Sequence, residues 1–369
     1  MKGAPPNAPR AFTLVEVLVS MAVLALLLVV MASILNQTTT AWRSTRGKIE
    51  QFRQARDAFE SMSRKISQST LNTYWDYLDA GNATRTPANS STFVPVRYAR
   101  QSELRFISGP ALAGTATGSP PRPTHSIFFV APLGEVGNAT YSGLQNLLNT
   151  WGYYVEYADD SNLRPPFLEN LEPPPKKYRF RLMEVMQPSE DMTLYKYTTV
   201  TPNVPDSGST YAGKAWFTDA LDPSSAVPPS ATSPPVHVLA ENVIALVLLP
   251  KLAPQEDSTG TLLSPSYTYD STVKRATAAI NSKNQLPPVV QITMVAIDET
   301  SANRMTAADN ADLQTELGKR FTGSDQSASQ YADDLTKLEQ YLVDKRINYR
   351  IFTTNVSIKG AKWSREQVN

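Results

Sequence analysis

The amino-acid sequence predicts an α+β chain in which a long N-terminal transmembrane helix leads into an antiparallel β-rich globular head with a second helix near the C-terminus. Three observations carry that expectation. Val17 to Leu35 is a run of 19 residues without a charge, interrupted only by Ser20 and Ser33, and at 1.5 Å rise per residue it nearly matches a hydrocarbon core of about 30 Å. No proline lies between Pro9 and Pro87, so nothing in that interval forces a helix to stop. Beyond it, short segments rich in aromatic and β-branched residues alternate with Gly-, Pro- and Asn-rich turns, the pattern of strands.

Length and charge narrow the classes further. At 369 residues and 41% hydrophobic content the chain can bury a sizeable core. A net charge of +1 with thinly spread Lys and Arg lacks the basic stripe of a nucleic-acid-binding domain, so no nucleic-acid partner is expected. Zero cysteines exclude disulfides, thiolate metal sites and cysteine nucleophiles. Of the 28 prolines, 12 fall within 164–175 and 202–235, where extended loops are expected.

Lys2 and Arg10 precede the apolar run and the long remainder follows it. The positive-inside bias therefore keeps a short N-terminus in the cytoplasm and carries the head across the membrane. A cleaved secretory signal would instead show an apolar region of about 7–15 residues and a small-x-small site, which "NQTTTAW" offers only weakly. One residue conflicts with a plain anchor. Glu16 stands near the start of the span, where a carboxylate costs roughly 2.5–3.5 kcal/mol if it sits deep in lipid and less if it reaches the headgroups.

The residues around Glu16 resolve that conflict through a likeness. "AFTLVEVLVSMAVLALL" resembles the N-terminal cleavage and methylation motif of type IV prepilins and type II secretion pseudopilins: a short basic leader, a small residue, then Phe-Thr-Leu-x-Glu and an apolar helix. The resemblance implies that prepilin peptidase cuts between Ala11 and Phe12 and methylates the new N-terminus at Phe12. Ala11 stands where that family usually has glycine. It further implies that Glu16 serves assembly by pairing with the α-amino group of a neighbouring subunit's first mature residue, which would offset the burial of both charges. Its partners would be prepilin peptidase, other pilin or pseudopilin subunits and the bacterial inner membrane, with the head periplasmic. On this reading residues 1–11 are a leader, 12–70 a pilin-type helix with its membrane span at about 12–35, and 71–369 an extracytoplasmic head.

Past the span the helix continues. Trp42, Ile49, Phe52, Phe59, Met62 and Ile66 recur at steps of three, four or seven among charged residues, one apolar stripe suited to packing on the head. A single helix from about Thr13 to about Ser69 is the economical reading, and "NTYWDYLDAGNATRTPANSS" then breaks it with Gly81, Pro87 and a polar run. Strands are expected at 103–108, 126–132, 151–158 and 178–185, and the strongest buried-strand candidates at 236–252 and 286–299. The order of these last two resembles the corresponding pair in J-type minor pseudopilins and W-type minor pilins. A second helix is expected at about 327–345, where Tyr331, Leu335, Leu338 and Leu342 share a face, followed by a last strand carrying Ile347, Tyr349 and Ile351. These C-terminal segments are also similar in pattern to the C protein of prepilin-like Verru_Chthon cassettes.

Catalytic constellations are sparse. His125 and His237, the two histidines, each stand beside a strand start without a second ligand nearby, which favours strand-end residues over metal ligands. No GxSxG, HExxH, Walker A loop or GxGxxG is present. The doublets Asp159-Asp160, Asp298-Glu299 and Asp333-Asp334 lack the alternating spacing of an EF-hand loop and read as solvated acidic turns. No cofactor and no enzymatic activity are expected. The favoured expectation is a structural filament subunit, a minor pilin or pseudopilin. The alternative is a signal-anchored single-pass extracytoplasmic protein with a binding or enzymatic head, which would keep Met1 or start near Trp42.

Overall fold

A computed structural model describes residues 13–113, 122–143, 146–160, 176–192, 235–273, 280–322 and 328–364, with Phe167, Leu194, Phe217 and Leu221; residues 40, 41 and 43–51 are described in their backbone alone. The leader 1–11, Phe12, the Ile49 side chain and most of the two proline-rich stretches lie outside the described residues. The chain divides into two units, Met1–Gln51 and Phe52–Asn369.

The first helix, α1 (Leu14–Ile66), is a single element of 53 residues that contributes to both units. In the first unit Leu14–Thr39 is long and apolar enough to cross a membrane, with a mean hydropathy of 2.9 over its most apolar stretch. Every described side chain there is exposed. Within the second unit, Ala55, Ala58, Phe59, Met62 and Ile66 are buried at three- and four-residue steps. Phe52 is half-buried, so among the described side chains of the second unit the expected apolar stripe packs from Phe52 to Ile66. The helix closes with Arg64 and Lys65 in its last turn, where cations complement the C-terminal dipole.

Among the described residues the head holds three antiparallel sheets. The first is a hairpin of β1 (Tyr74–Leu78) and β2 (Arg97–Gln101). The second has six strands: β3 (Ile107–Pro110), β4 (His125–Pro132), β5 (Leu148–Ala158), β6 (Arg179–Gln187), β7 (Val236–Glu241) and β9 (Tyr269–Asp270), in the order β7-β6-β5-β4-β3-β9. The third has the order β11-β10-β8, from β8 (Val243–Lys251), β10 (Val289–Ile297) and β11 (Tyr349–Ser357). Among the described residues three α-helices follow β10: α2 (Glu299–Arg304), α3 (Ala307–Lys319) and α4 (Tyr331–Asp344). Strands β4, β5, β8 and β10 are buried over most of their length and make the centre of the core.

The expected α+β architecture holds, and several local expectations change. The run 236–252, expected as one strand, is two strands in different sheets. One strand of that length would extend about 56 Å, whereas the longest strand, β5, has 11 residues. The chain turns at Asn242, whose φ of 60° lies in the left-handed region that asparagine tolerates. The Asn242 N–H donates to the Phe180 carbonyl on β6 at 2.7 Å, and its carbonyl accepts from Ile297 N–H on β10 at 2.9 Å. One residue thus stitches the six- and three-stranded sheets together.

The strand expected at 103–108 begins only at Ile107. Before it, the Ser102 hydroxyl donates to the Leu71 carbonyl at 2.6 Å and accepts from Leu104 N–H at 3.1 Å, folding a local turn. The polar stretch expected only to break α1 contains β1, whose aromatic residues pair across to β2. Gly81 and Pro87 fall in the connection between these two strands. The expected C-terminal helix is present as α4.

Candidate functional site

The functional candidates fall into two places, each within its own unit. At the start of α1, Thr13 precedes the first helical residue, and its Oγ1 accepts from the Glu16 N–H at 3.3 Å. Thr13 and Glu16 therefore occupy the N-cap and third positions of a T-x-x-E start, where a hydroxyl satisfies an orphan N–H and an acid complements the positive end of the helix dipole. Ser20 Oγ donates to the Glu16 carbonyl at 2.7 Å, so this polar residue bonds back to its own helix. Glu16 is exposed among exposed Leu14, Val15, Val17 and Leu18. Ala11 and Phe12 precede the described residues.

The second place lies in the head, where the last turn of α1 is fastened to the six-stranded sheet. Glu184 on β6 presents one oxygen, Oε1, to three donors: Lys65 Nζ at 2.8 Å, Trp151 Nε1 at 2.9 Å and the Tyr153 hydroxyl at 2.8 Å. The Lys65 ammonium also stands 4.1 Å above the centroid of the Trp151 ring. Burial and the neighbouring Glu184 carboxylate push the Tyr153 hydroxyl well above its ordinary pKa. Phe59 meets Phe352 of β11 with ring centroids 5.9 Å apart, and Lys359 N–H donates to the Ser67 carbonyl at 2.9 Å just past the helix end. Nothing in the local sequence around Lys65 points to Glu184, which lies 119 residues away.

Both histidines stand at strand starts as expected. His237 is exposed near the start of β7, while His125, the first residue of β4, is wholly buried. Its Nδ1 accepts from Leu248 N–H on β8 at 3.0 Å, and its Nε2 lies 2.7 Å from the Phe321 carbonyl, to which it donates. Thr124 Oγ1 takes the neighbouring Leu246 N–H at 3.1 Å. These two side chains satisfy the outer edge of β8, where no strand pairs. Burial holds the imidazole neutral, with its pKa lowered to about 4.

The acidic doublets serve the fold. Asp298 caps α2 by accepting from Ser301 N–H at 2.8 Å. Glu299 bonds the buried Arg179 guanidinium and accepts from Asn242 Nδ2 at 2.9 Å, and these hydrogen bonds hold its carboxyl below the usual range against the opposing effect of burial. Asp334 accepts from Phe321 N–H at 3.0 Å, Asp160 accepts from Lys177 N–H at 3.0 Å, and Asp159 and Asp333 pair with Lys176 and Lys337. Among the described residues no group of three or more His, Asp or Glu is arranged to hold a metal ion.

Comparison with known proteins bears on the first place. Residues 7–32 match the family model of the prokaryotic N-terminal methylation motif. That stretch includes Ala11, Phe12, Thr13 and Glu16 together with most of the apolar run. The N-terminus therefore carries a prepilin-type motif, which in general implies processing by prepilin peptidase and assembly with other pilin subunits. No curated protein and no solved structure matches the chain. The prepilin-type segment and the apolar helix Leu14–Thr39 together make this a membrane-anchored chain.

Proposed function

We propose that this chain is a minor pilin or pseudopilin, a structural subunit of a type IV pilus or type II secretion-like filament. The observation that carries the reading is the methylation-motif match over residues 7–32, which takes in the small residue, the aromatic residue and the acid at the spacing the chemistry needs. Prepilin peptidase cuts between Ala11 and Phe12 and methylates the Phe12 amino group. Glu16 then lies four residues inside the mature end. In lipid the new ammonium and the carboxylate are each expensive, and a pair formed between neighbouring subunits offsets both. The helix is single-pass in the bacterial inner membrane, its N-terminus cytoplasmic and its head periplasmic, in line with Lys2 and Arg10 preceding the span.

Within that class the order of the segments 236–252 and 286–299 resembles that of J-type minor pseudopilins and W-type minor pilins, and the chain size and C-terminal pattern are also compatible with the C protein of Verru_Chthon cassettes. The head supplies specificity and the helix supplies assembly. Glu16→Leu tests the assembly role directly. Cleavage and membrane insertion are expected to stay intact while crosslinking to partner subunits falls. Unchanged crosslinking would mean that Glu16 only reaches the headgroups. Ala11→Leu is expected to abolish the mobility shift on coexpression with a prepilin peptidase, and a persisting shift would move the cut elsewhere.

A further inference from the structure

The end strand of a sheet presents a row of unpaired backbone N–H and C=O groups, and folded proteins blunt such rows with short strands, bulges, charges, proline or covering groups. Most edges in this head are blunted. The outer N–H groups of Leu246 and Leu248 on β8 are taken by Thr124 Oγ1 and His125 Nδ1. Strand β9 has two residues, β7 has six and is bulged against β6, and the hairpin strands β1 and β2 have five each, with Asp76, Arg97 and Arg100 among them.

Among the described residues β11 is the exception. It ends the order β11-β10-β8 and keeps an unbroken nine-residue register with β10, from Tyr349 opposite Ile297 to Ser357 opposite Val289. Its sequence YRIFTTNVS has no proline, lysine or acid, and no charge after Arg350, while Ile351, Phe352, Thr353, Thr354 and Val356 give it strong β propensity. Both of its faces are engaged. Phe352 meets Phe59 of α1 on one, and on the other Thr353 Oγ1 lies 3.2 Å from Thr293 Oγ1, which is itself 2.6 Å from the Tyr331 hydroxyl of α4. What stays open is the edge: alternate residues turn N–H and C=O away from β10, and among the described residues nothing bonds them.

The chemistry of this edge selects its occupant. A row of free donors and acceptors about 30 Å long is satisfied along its length by another extended chain, through strand addition. Charge sets a second requirement. Arg350, the one charge on β11, is exposed, lies 5.9 Å from the centre of the Phe352 ring and makes no ion pair among the described residues, so a carboxylate directly opposite it is favoured and a cation disfavoured. We propose that the outer edge of β11 is an interaction surface that receives an extended, β-branched segment of a partner protein carrying an acidic residue opposite Arg350.

The test uses the full chain in detergent micelles and a dye-labelled peptide, Thr-Thr-Val-Thr-Val-Thr-Val-Glu-Thr, whose glutamate falls opposite Arg350 in an antiparallel pairing, followed by fluorescence polarisation. Saturable binding is expected at about 0.1 mM. A peptide with its third and sixth residues changed to proline, which breaks the backbone pairing whichever edge it presents, is expected to bind at least ~10-fold more weakly. Arg350→Glu should weaken the glutamate peptide about 5-fold and bind the matching lysine peptide as tightly as the parent binds the glutamate one. No saturation by about 1 mM, equal binding of the proline peptide, or an Arg350→Glu protein that does not distinguish the two charges overturns the proposal. So does a parent chain that sediments as a dimer and takes up no peptide, because a second copy then fills the edge. Should Arg350→Glu lose its folded circular-dichroism signature, Arg350→Gln removes the charge alone and is expected to weaken the glutamate peptide about 2-fold, and full affinity there overturns the proposal as well.

Discussion

Replacing Glu184 tests how the pilin-type helix is fastened to its head. Its Oε1 accepts from Trp151 Nε1 and the Tyr153 hydroxyl, and both residues are almost fully buried. Glu184→Ala leaves those two donors without an acceptor at about 1–3 kcal/mol each. Lys65 is 25% exposed along its side chain, so loss of its ion pair adds at most about 1 kcal/mol after solvent screening. The expected destabilisation is about 2–7 kcal/mol. Glu184→Gln keeps an acceptor oxygen in place and loses only the charge, for about 1–2 kcal/mol. Urea unfolding of the detergent-solubilised chain, followed by tryptophan fluorescence, reads both values, and a cycle with Lys65→Met isolates the helix-to-sheet pair. A Glu184→Ala midpoint equivalent to within about 0.5 kcal/mol of the parent, or a Gln variant as unstable as the Ala variant, would refute the reasoning.

Two further perturbations act elsewhere in the core. His125 has a folded pKa of about 4 against an unfolded value of about 6.5, so its neutral form contributes stability that is complete above pH 6.5 and is lost as the pH falls toward 4. Denaturation midpoints compared between the parent and His125→Gln should show about 3 kcal/mol of additional acid sensitivity in the parent, and parallel pH profiles would contradict the buried neutral imidazole. At Gly152 an added Cβ would stand 2.7 Å from Phe128 Cε1, closer still to its Cδ1, and 3.1 Å from the Ile127 carbonyl, while Phe128 is itself held flat against Phe217 at 4.3 Å. Gly152→Ala should therefore cost about 1–3 kcal/mol or more and lower the melting temperature, and an unchanged melt would show that Phe128 can move aside.

Much of this architecture was legible because it rests on local pattern. The uncharged run, the absence of proline and the three- and four-residue spacing of Phe59, Met62 and Ile66 point to one long helix, and the aromatic and β-branched segments point to β4, β5 and β6. What stayed hidden depends on distant partners. A continuous apolar run at 236–252 carries no mark of two sheets, because the turn at Asn242 is set by Phe180 on one side and Ile297 on the other. The helix α3 is legible in principle through its capping box, Thr306 with Asp309, although the expected elements do not include it. The aromatic residues at 74–77 stand beside Gly81 and Pro87 in the sequence, whereas their pairing partners lie at 98–101. At the candidate site Ala11, Phe12 and Glu16, the proposed processing and assembly residues, stand close together in the sequence, whereas Glu184 and Tyr153 are linked to Lys65 only in three dimensions.

The central claim, that this is a processed pilin-type subunit, is tested most directly by the mass of its N-terminal peptide after expression with a prepilin peptidase. A processed subunit gives a mature chain beginning at N-methylated Phe12, with the first 11 residues removed. A chain that retains Met1, or one that begins near Trp42, would contradict it.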